Sequence, residues 1–262
     1  MVKNWCVTGD THGAPLRQRL EEFKRQIKYV EQEYALIILG DVGFNYCFDD
    51  NDFSLKKDAE ESGFWIYCLR GNHEARPRAV SNMKLIYDEN VGNGVYYEPE
   101  FPHIRYFVDG GQYTINGYKV LTIGGAYSVD KWYRLTMGRK WFEDEQLTSE
   151  ERDLINKFVV DEKPKCFDLV LTHTCPFSWM PTDLFIKGVD QTRVDNTMEH
   201  WLDYIQANIC FRQWLFGHFH EDRLETPFAQ MFYTDITELD EVFESRSHWW
   251  CLRGPKFWHY DT

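Results

Sequence analysis

The sequence predicts an α/β fold. Short continuous apolar runs of strand length, such as Ala35 to Leu39, alternate with segments whose apolar residues recur every three or four positions. Polar clusters rich in Asp, His and Gly follow the strand-like runs. In open α/β sheets, that is where ligands bind, beyond the carboxyl ends of strands.

Val2 to Thr8 reads as a first strand, ending at Gly9. Leu16, Leu20, Phe23, Ile27 and Val30 form one stripe on a helix, with Pro15 in its first turn. Ala35 to Leu39 and Phe64 to Leu69 are strands of the continuous kind expected when both faces are buried. The acidic stretch Asp49 to Ser62 between them reads as a solvated helix. Ile104 to Val108, Gln112 to Ile115 and Tyr118 to Ile123 read as strands, the last two joined by the two-residue turn Asn116-Gly117. Thr148 and Glu151 form a capping box opening a helix with Leu154, Ile155, Phe158 and Val159. Phe167 to Leu171 is another buried strand. Met198, Trp201, Leu202, Ile205 and Ile209 give a second helical stripe, followed by strands over Arg212 to Phe216 and Phe228 to Tyr233.

The 262 residues are 43% apolar and 27% charged, enough to bury a core without disulfides or metal. With no repeat or linker in view, residues 1–262 read as a single domain with an aromatic tail over about 240–262. That tail, with Trp249, Trp250, Phe257, Trp258 and Tyr260, either packs across the domain or offers a protein partner a surface. No run spans a bilayer and no signal peptide is visible, so no membrane partner and a cytoplasmic location are expected. Seven Cys without a CxxC pair fit free thiols in a reducing compartment. The net charge of −13 repels nucleic-acid backbones, so no long duplex partner is expected. A phosphate-bearing substrate then needs a local source of positive charge, such as divalent cations.

Five clusters end the predicted strands: Asp10 and His12 in GDTHG, Asp41 in LGDVG, Asn72, His73 and Glu74 in RGNHE, His173 in LTHTCP, and His218 with His220 in FGHFH. Imidazole and carboxylate together suit borderline first-row ions better than Mg or Ca. Glycines beside them, Gly9, Gly40, Gly71 and Gly217, suit sharp exits from the strands.

In this order the clusters resemble the calcineurin-like metallophosphoesterase superfamily, over Val7 to His220. The resemblance implies an α/β sandwich of two sheets flanked by helices, and a hydrolase holding two divalent metal ions. Mn is the first choice of metal, with Fe, Zn, Co or Ni as others. Asp10, His12 and His220 would hold one ion, Asn72, His173 and His218 the other, and Asp41 would bridge them. A hydroxide shared by the metals would attack the phosphate ester, with His73 as general acid oriented by Glu74. LRGNHEAR, Leu69 to Arg76, is similar to Ser/Thr protein phosphatases, but their Asp-Arg-Gly is replaced here by Asp41-Val42-Gly43. GGAYSVDK, Gly124 to Lys131, is closer to bacterial and phage members of the superfamily. Arg134 and Lys131 are candidate phosphate clamps. The reading leans to phosphodiesters or small phosphorylated molecules. A protein phosphatase, or a silent protein-binding scaffold on the same fold, are its alternatives. Cys175 is either a stray ligand or a neutral neighbour of the metals.

Overall fold

In the computed structural model the described residues are 1–27, 31–161 and 165–244. Their strands are β1 (Asn4–Thr8), β2 (Tyr34–Ile38), β3 (Trp65–Cys68), β4 (Lys84–Asp88), β5 (Asn93–Tyr97), β6 (Ile104–Tyr106) and β7 (Gly111–Ile115). There follow β8 (Tyr118–Ile123), β9 (Cys166–Thr172), β10 (Cys210–Phe216), β11 (Arg223–Thr226), β12 (Ala229–Met231) and β13 (Thr237–Glu238). The helices are α1 (Pro15–Gln26), α2 (Asp50–Glu61), α3 (Lys131–Thr136), α4 (Ser149–Asn156), α5 (Thr197–Asn208) and α6 (Leu239–Glu244).

Two sheets face each other. The first has seven strands in the order β13-β1-β2-β3-β6-β5-β4, the second six in the order β11-β12-β10-β9-β8-β7. β1, β2, β3 and β6 run parallel, as do β8, β9, β10 and β12, with antiparallel strands added at the edges.

The two-residue side-chain period sorts each strand between layers. Trp5 and Val7 of β1, Ala35 and Ile37 of β2 and Tyr67 of β3 point between the sheets, meeting Leu169, Leu171 and Leu215 from the other sheet. The alternate residues Cys6, Leu36, Ile38, Ile66 and Cys68 face outward onto Leu16, Leu20 and Phe23 of α1 and Leu55 and Ala59 of α2. On the far side, Val170, Trp214 and Phe216 pack on Met198, Trp201, Leu202 and Ile205 of α5. The result is a helix-sheet-sheet-helix sandwich. Every residue of β2 is buried, as its continuous apolar run required.

The Asn116-Gly117 turn joins β7 and β8 with both residues left-handed, φ 50° and 82°, the geometry that lets a two-residue hairpin follow the twist of its strands. The Thr148 capping box is present in full. Several expectations need correction. α1 ends at Gln26, with Ile27 extended, and Val30 lies outside the described residues. α2 is not simply solvated: Leu55 and Ala59 are buried, and Lys56 is buried against Glu98 at 2.6 Å. After α4 the chain widens into a π-helical turn, Lys157–Asp161, so Leu154 and Phe158 are exposed while Ile155 and Val159 are buried. The strand expected over Phe228 to Tyr233 covers only Ala229–Met231. β4, β5, β11 and β13 gave no clear period in the sequence. In the aromatic tail α6 is described, and its Val242 and Phe243 join the inter-sheet core. Residues 245–262 lie outside the described residues.

Candidate metal centre

The parallel register aligns the strand ends, and backbone bonds then tie their exits together. Leu39 N–H donates to Thr8 O at 3.1 Å and Leu69 N–H to Ile38 O at 2.9 Å, keeping β1, β2 and β3 abreast. In the other sheet Gly217 N–H donates to His173 O at 3.0 Å. The sheets are joined at the same end, where Gly125 N–H donates to Arg70 O at 2.8 Å. Asp10, Asp41, Asn72, His173 and His218 therefore leave neighbouring strands onto one spot, although up to 208 positions separate their partners in sequence.

Two groups form around two buried carboxylates. Asp10, His12 and His220 bring ligand atoms within 4.8 Å of one another, and so do Asp10, Asp41 and His173. His12 Nε2 and His220 Nε2 lie 2.7 Å apart, and Asp10 Oδ2 is 3.6 and 3.3 Å from them. Asp41 Oδ2 stands 3.9 Å from His12 Nδ1, 3.6 Å from His173 Nε2 and 3.8 Å from His73 Nε2. Asp41 thus lies between the groups. Asn72 Oδ1 is 2.8 Å from His173 Nε2. The His218 ring stands edge-on to that of His173, centroids 5.0 Å apart, and the His218 backbone N–H donates to Asp10 Oδ1 at 3.0 Å.

His12, Asp41, His218 and His220 all have left-handed backbones, φ 44°, 50°, 70° and 56°. Side chains rarely adopt that region, and such strain concentrates where function requires a particular geometry. The glycines have a second reason besides sharp exits. A Cβ on Gly71 would fall on Asp41 Oδ1, and one on Gly217 on Asp10 Oδ1, so these residues make room for the carboxylates.

The groups fit divalent cations. Asp10 Oδ2 is buried without a hydrogen-bond donor among the described residues, an orphaned charge that a cation satisfies. Paired His12 and His220 nitrogens, an Asn oxygen and two carboxylates form an N/O donor set for first-row ions. His173 Nδ1 lies 2.7 Å from the Leu39 carbonyl and donates to it, aiming Nε2 at the site. Burial disfavours charge on Asp41, but His173 and His73 outweigh it and hold its carboxyl well below the usual range. Burial would likewise neutralise His173, yet Asp41 and Asp10 carry it up to about 9. Burial and the neighbouring His173 press His218 down to about 3, leaving it neutral.

His73 lies beside the groups, its backbone N–H donating to Asp41 Oδ1 at 2.8 Å. Its Nε2 is 3.3 Å from Arg134 Nη2, so the guanidinium reaches the reaction site from α3. Arg134 is itself fixed by Asp130, at 2.8 and 2.7 Å, and by the Tyr46 hydroxyl at 2.8 Å.

Glu74 departs from expectation. Among the described residues it makes no hydrogen bond to the His73 ring: its Oε1 accepts the Gly71 N–H at 2.6 Å, and burial pushes its carboxyl up to about 8. It braces the loop carrying Asn72 and His73. Burial lowers the pKa of His73; Asp41 favours its charged form, and the nearby Arg134 opposes it. Lys131 is also turned elsewhere, its ammonium 4.1 Å from the Trp141 ring centroid. Cys175 is a buried thiol in the core with Trp179, its pKa raised by burial, and belongs to neither ligand group.

Two contributors carried no motif. Ser128 Oγ accepts Asn72 Nδ2 at 2.9 Å and donates to Glu145, which turns the Asn72 oxygen toward His173. Arg134 brings positive charge to the cavity that the metal-group residues line, while Lys131, Arg139 and Lys140 of the same stretch lie over the rings of Trp141, Tyr133 and Phe48. The run KWYRLTMGRKW, Lys131 to Trp141, was the legible signal.

Residues 5–222 match the family model described as calcineurin-like phosphoesterase. Among solved structures, TT1561 of Thermus thermophilus is similar at 12% identity and a TM-score of 0.46, covering 91% of this chain and 98% of that one. Another solved structure is similar at 14% identity and a TM-score of 0.48, covering 92% of this chain and 96% of that one. None of the curated proteins matches the sequence. No described helix is long and apolar enough to cross a membrane.

Proposed function

The chain belongs to the calcineurin-like phosphoesterase family, hydrolases of phosphoester bonds, and on that premise we propose that it cleaves phosphodiesters or small phosphorylated molecules with two divalent ions. The observation that carries this reading is the convergence of five strand ends on two buried carboxylates, one of them with an orphaned oxygen. Asp10, His12 and His220 would hold one ion, Asn72, His173 and His218 the other, with Asp41 placed to serve both. Mn suits this donor set first, and Fe, Zn, Co or Ni follow. Such ions would supply a hydroxide near neutral pH and positive charge against the phosphoryl oxygens.

The chain's own residues do the rest. Arg134, held by Asp130 and Tyr46, donates its remaining N–H bonds to a phosphoryl oxygen, a role the Asp-Arg-Gly of protein phosphatases would fill from another loop. His73, 3.8 Å from Asp41 and within reach of Arg134, delivers a proton to the leaving oxygen. Contact of Arg134 with a phosphate draws its charge away from His73 and favours the protonated ring. Glu74 and Ser128 position the loop and the Asn72 amide.

The test is hydrolysis of bis-p-nitrophenyl phosphate after chelation and Mn²⁺ return. Activity restored by Mn²⁺, and abolished in Asp41→Asn, is expected. Activity indifferent to both chelation and Asp41→Asn contradicts the proposal.

A further inference from the structure

The side chains proposed to hold the two ions differ in how firmly the fold encloses them. Asp10, Asp41 and His173 are buried, whereas the His220 side chain is 47% exposed and its backbone is left-handed. An exposed ring keeps rotamer freedom unless a neighbour packs on it. His220 Nε2 meets Asp10 Oδ2 at 3.3 Å and His12 Nε2 at 2.7 Å. The neighbour that packs on its ring face is Tyr233: the two rings stack, with centroids 5.0 Å apart and planes 25° from parallel.

Tyr233 is itself held at both ends of its backbone. Its N–H donates to Asp222 Oδ1 at 2.7 Å, and its carbonyl accepts Arg19 Nη1 at 2.6 Å. Asp222 lies two residues beyond His220 and also accepts the Thr234 N–H at 2.8 Å, the Thr234 hydroxyl at 2.6 Å and the Asp235 N–H at 3.1 Å. One carboxylate therefore ties the turn carrying Tyr233 to the loop carrying His220. Arg19 is buried on α1, and the same Nη1 donates to the Thr8 hydroxyl oxygen, two residues before Asp10. Gly9 allows the close approach, since a Cβ there would lie 2.0 Å from the Phe232 carbonyl oxygen and 2.6 Å from Tyr233 Cα. The end of β1, the His220 loop and the Tyr233 turn are thus locked to one another around Asp10 and His220.

We propose that Tyr233 is the positioning residue for His220, holding the imidazole where its Nε2 meets Asp10 and His12, so that the ion these three share is bound tightly. The inference rests on the two-ion reading and concerns one ion of the pair. Stacking needs the ring face and not the hydroxyl, and phenylalanine presents the same face. Loss of a residue that orients a metal ligand typically weakens metal binding by about 10–100-fold.

Calorimetric titration of the chelated, metal-free chain with Mn²⁺, with no substrate present, tests it. The wild type is expected to take two ions. Tyr233→Leu, which fills much of the space without a ring face, should weaken one ion by at least about tenfold and leave the other within about threefold. Tyr233→Phe, which keeps the ring, should bind both ions as the wild type does. Melting temperatures report whether each variant has folded. Wild-type affinities in Tyr233→Leu, or equal weakening of both ions in a folded Tyr233→Leu, overturn the positioning role and leave the two-ion reading standing. Loss of the ion in Tyr233→Phe as well overturns the stacking argument. A wild type that takes fewer than two ions overturns the two-ion reading, and the inference with it.

Discussion

Replacing Gly71 by alanine puts one methyl group against the carboxylate proposed to serve both ions. Its Cβ would lie 1.9 Å from Asp41 Oδ1 and 2.3 Å from the Asp41 backbone nitrogen. Carbon and oxygen approach no closer than about 3.3 Å without strain, so one of the two must move by roughly 1.4 Å. Asp41 is not free to swing, because Oδ1 also accepts the His73 backbone N–H at 2.8 Å. A displacement therefore moves the bridge and the proposed acid together. Misplacement by about 1 Å costs on the order of 10²-fold in rate. For Gly71→Ala the expectation is a fall of at least about 10²-fold in kcat/KM, equal to about 2.7 kcal/mol of transition-state stabilisation. The assay is Mn²⁺-dependent hydrolysis of bis-p-nitrophenyl phosphate, with metal content and melting temperature measured in parallel. Gly117→Ala is the comparison. Its φ of +82° carries backbone strain, but no atom lies within 4 Å of its Cβ, so it should lose about 1 kcal/mol of stability and no activity. Gly71→Ala activity within threefold of wild type would refute the reasoning that Asp41 placement limits catalysis.

Further perturbations separate the roles. His73→Ala should keep its metal and lose turnover on an ester with a poor leaving group about 10²-fold or more, with less loss on a p-nitrophenyl ester; equal losses on both would remove the acid role. Arg134→Ala should raise KM or lower kcat about tenfold, and steady values of both would show that its guanidinium serves only Asp130 and Tyr46. Lys56→Met breaks a buried pair with Glu98 and should cost about 3 kcal/mol, seen as a melting temperature lower by about 6 °C or more; an unchanged value would mean Glu98 finds another partner. Iodoacetamide at pH 8 should label exposed Cys47 and Cys166 before buried Cys6, whose thiol burial pushes up to about 12, and prior labelling of Cys6 by peptide mass mapping would contradict the packing.

The layers were legible where side chains face apolar surroundings on a regular period. β2 and β3 have such patterns because they lie inside the sandwich, and α1 and α5 because each packs one face on a sheet. β4 and β5 do not, because they form an edge hairpin whose residues are half exposed. The residues proposed as metal ligands were legible for a different reason: Asp, His and Asn stand directly after strands, so strand ends alone bring them together. Glu74 and Ser128 were not legible in their observed roles, nor Glu199 in its observed contact. Each acts through a contact that loop geometry decides, the Gly71 N–H for Glu74, the Asn72 amide for Ser128 and the Thr174 hydroxyl for Glu199. Glu199 even sits among the apolar stripe of α5, next to buried Met198, where periodicity gives no reason for a carboxylate. Lys131 and Arg134 are neighbours in sequence but diverge in use, since one turn of α3 directs Lys131 onto Trp141 and Arg134 onto His73.

The central claim is that two cations are shared across Asp41. Elemental analysis of Mn²⁺-equilibrated protein, dialysed free of excess metal, tests it most directly. The account predicts about two ions per chain in the wild type and one or fewer in Asp41→Asn. One ion per chain in both proteins, with phosphoester hydrolysis intact, would contradict it.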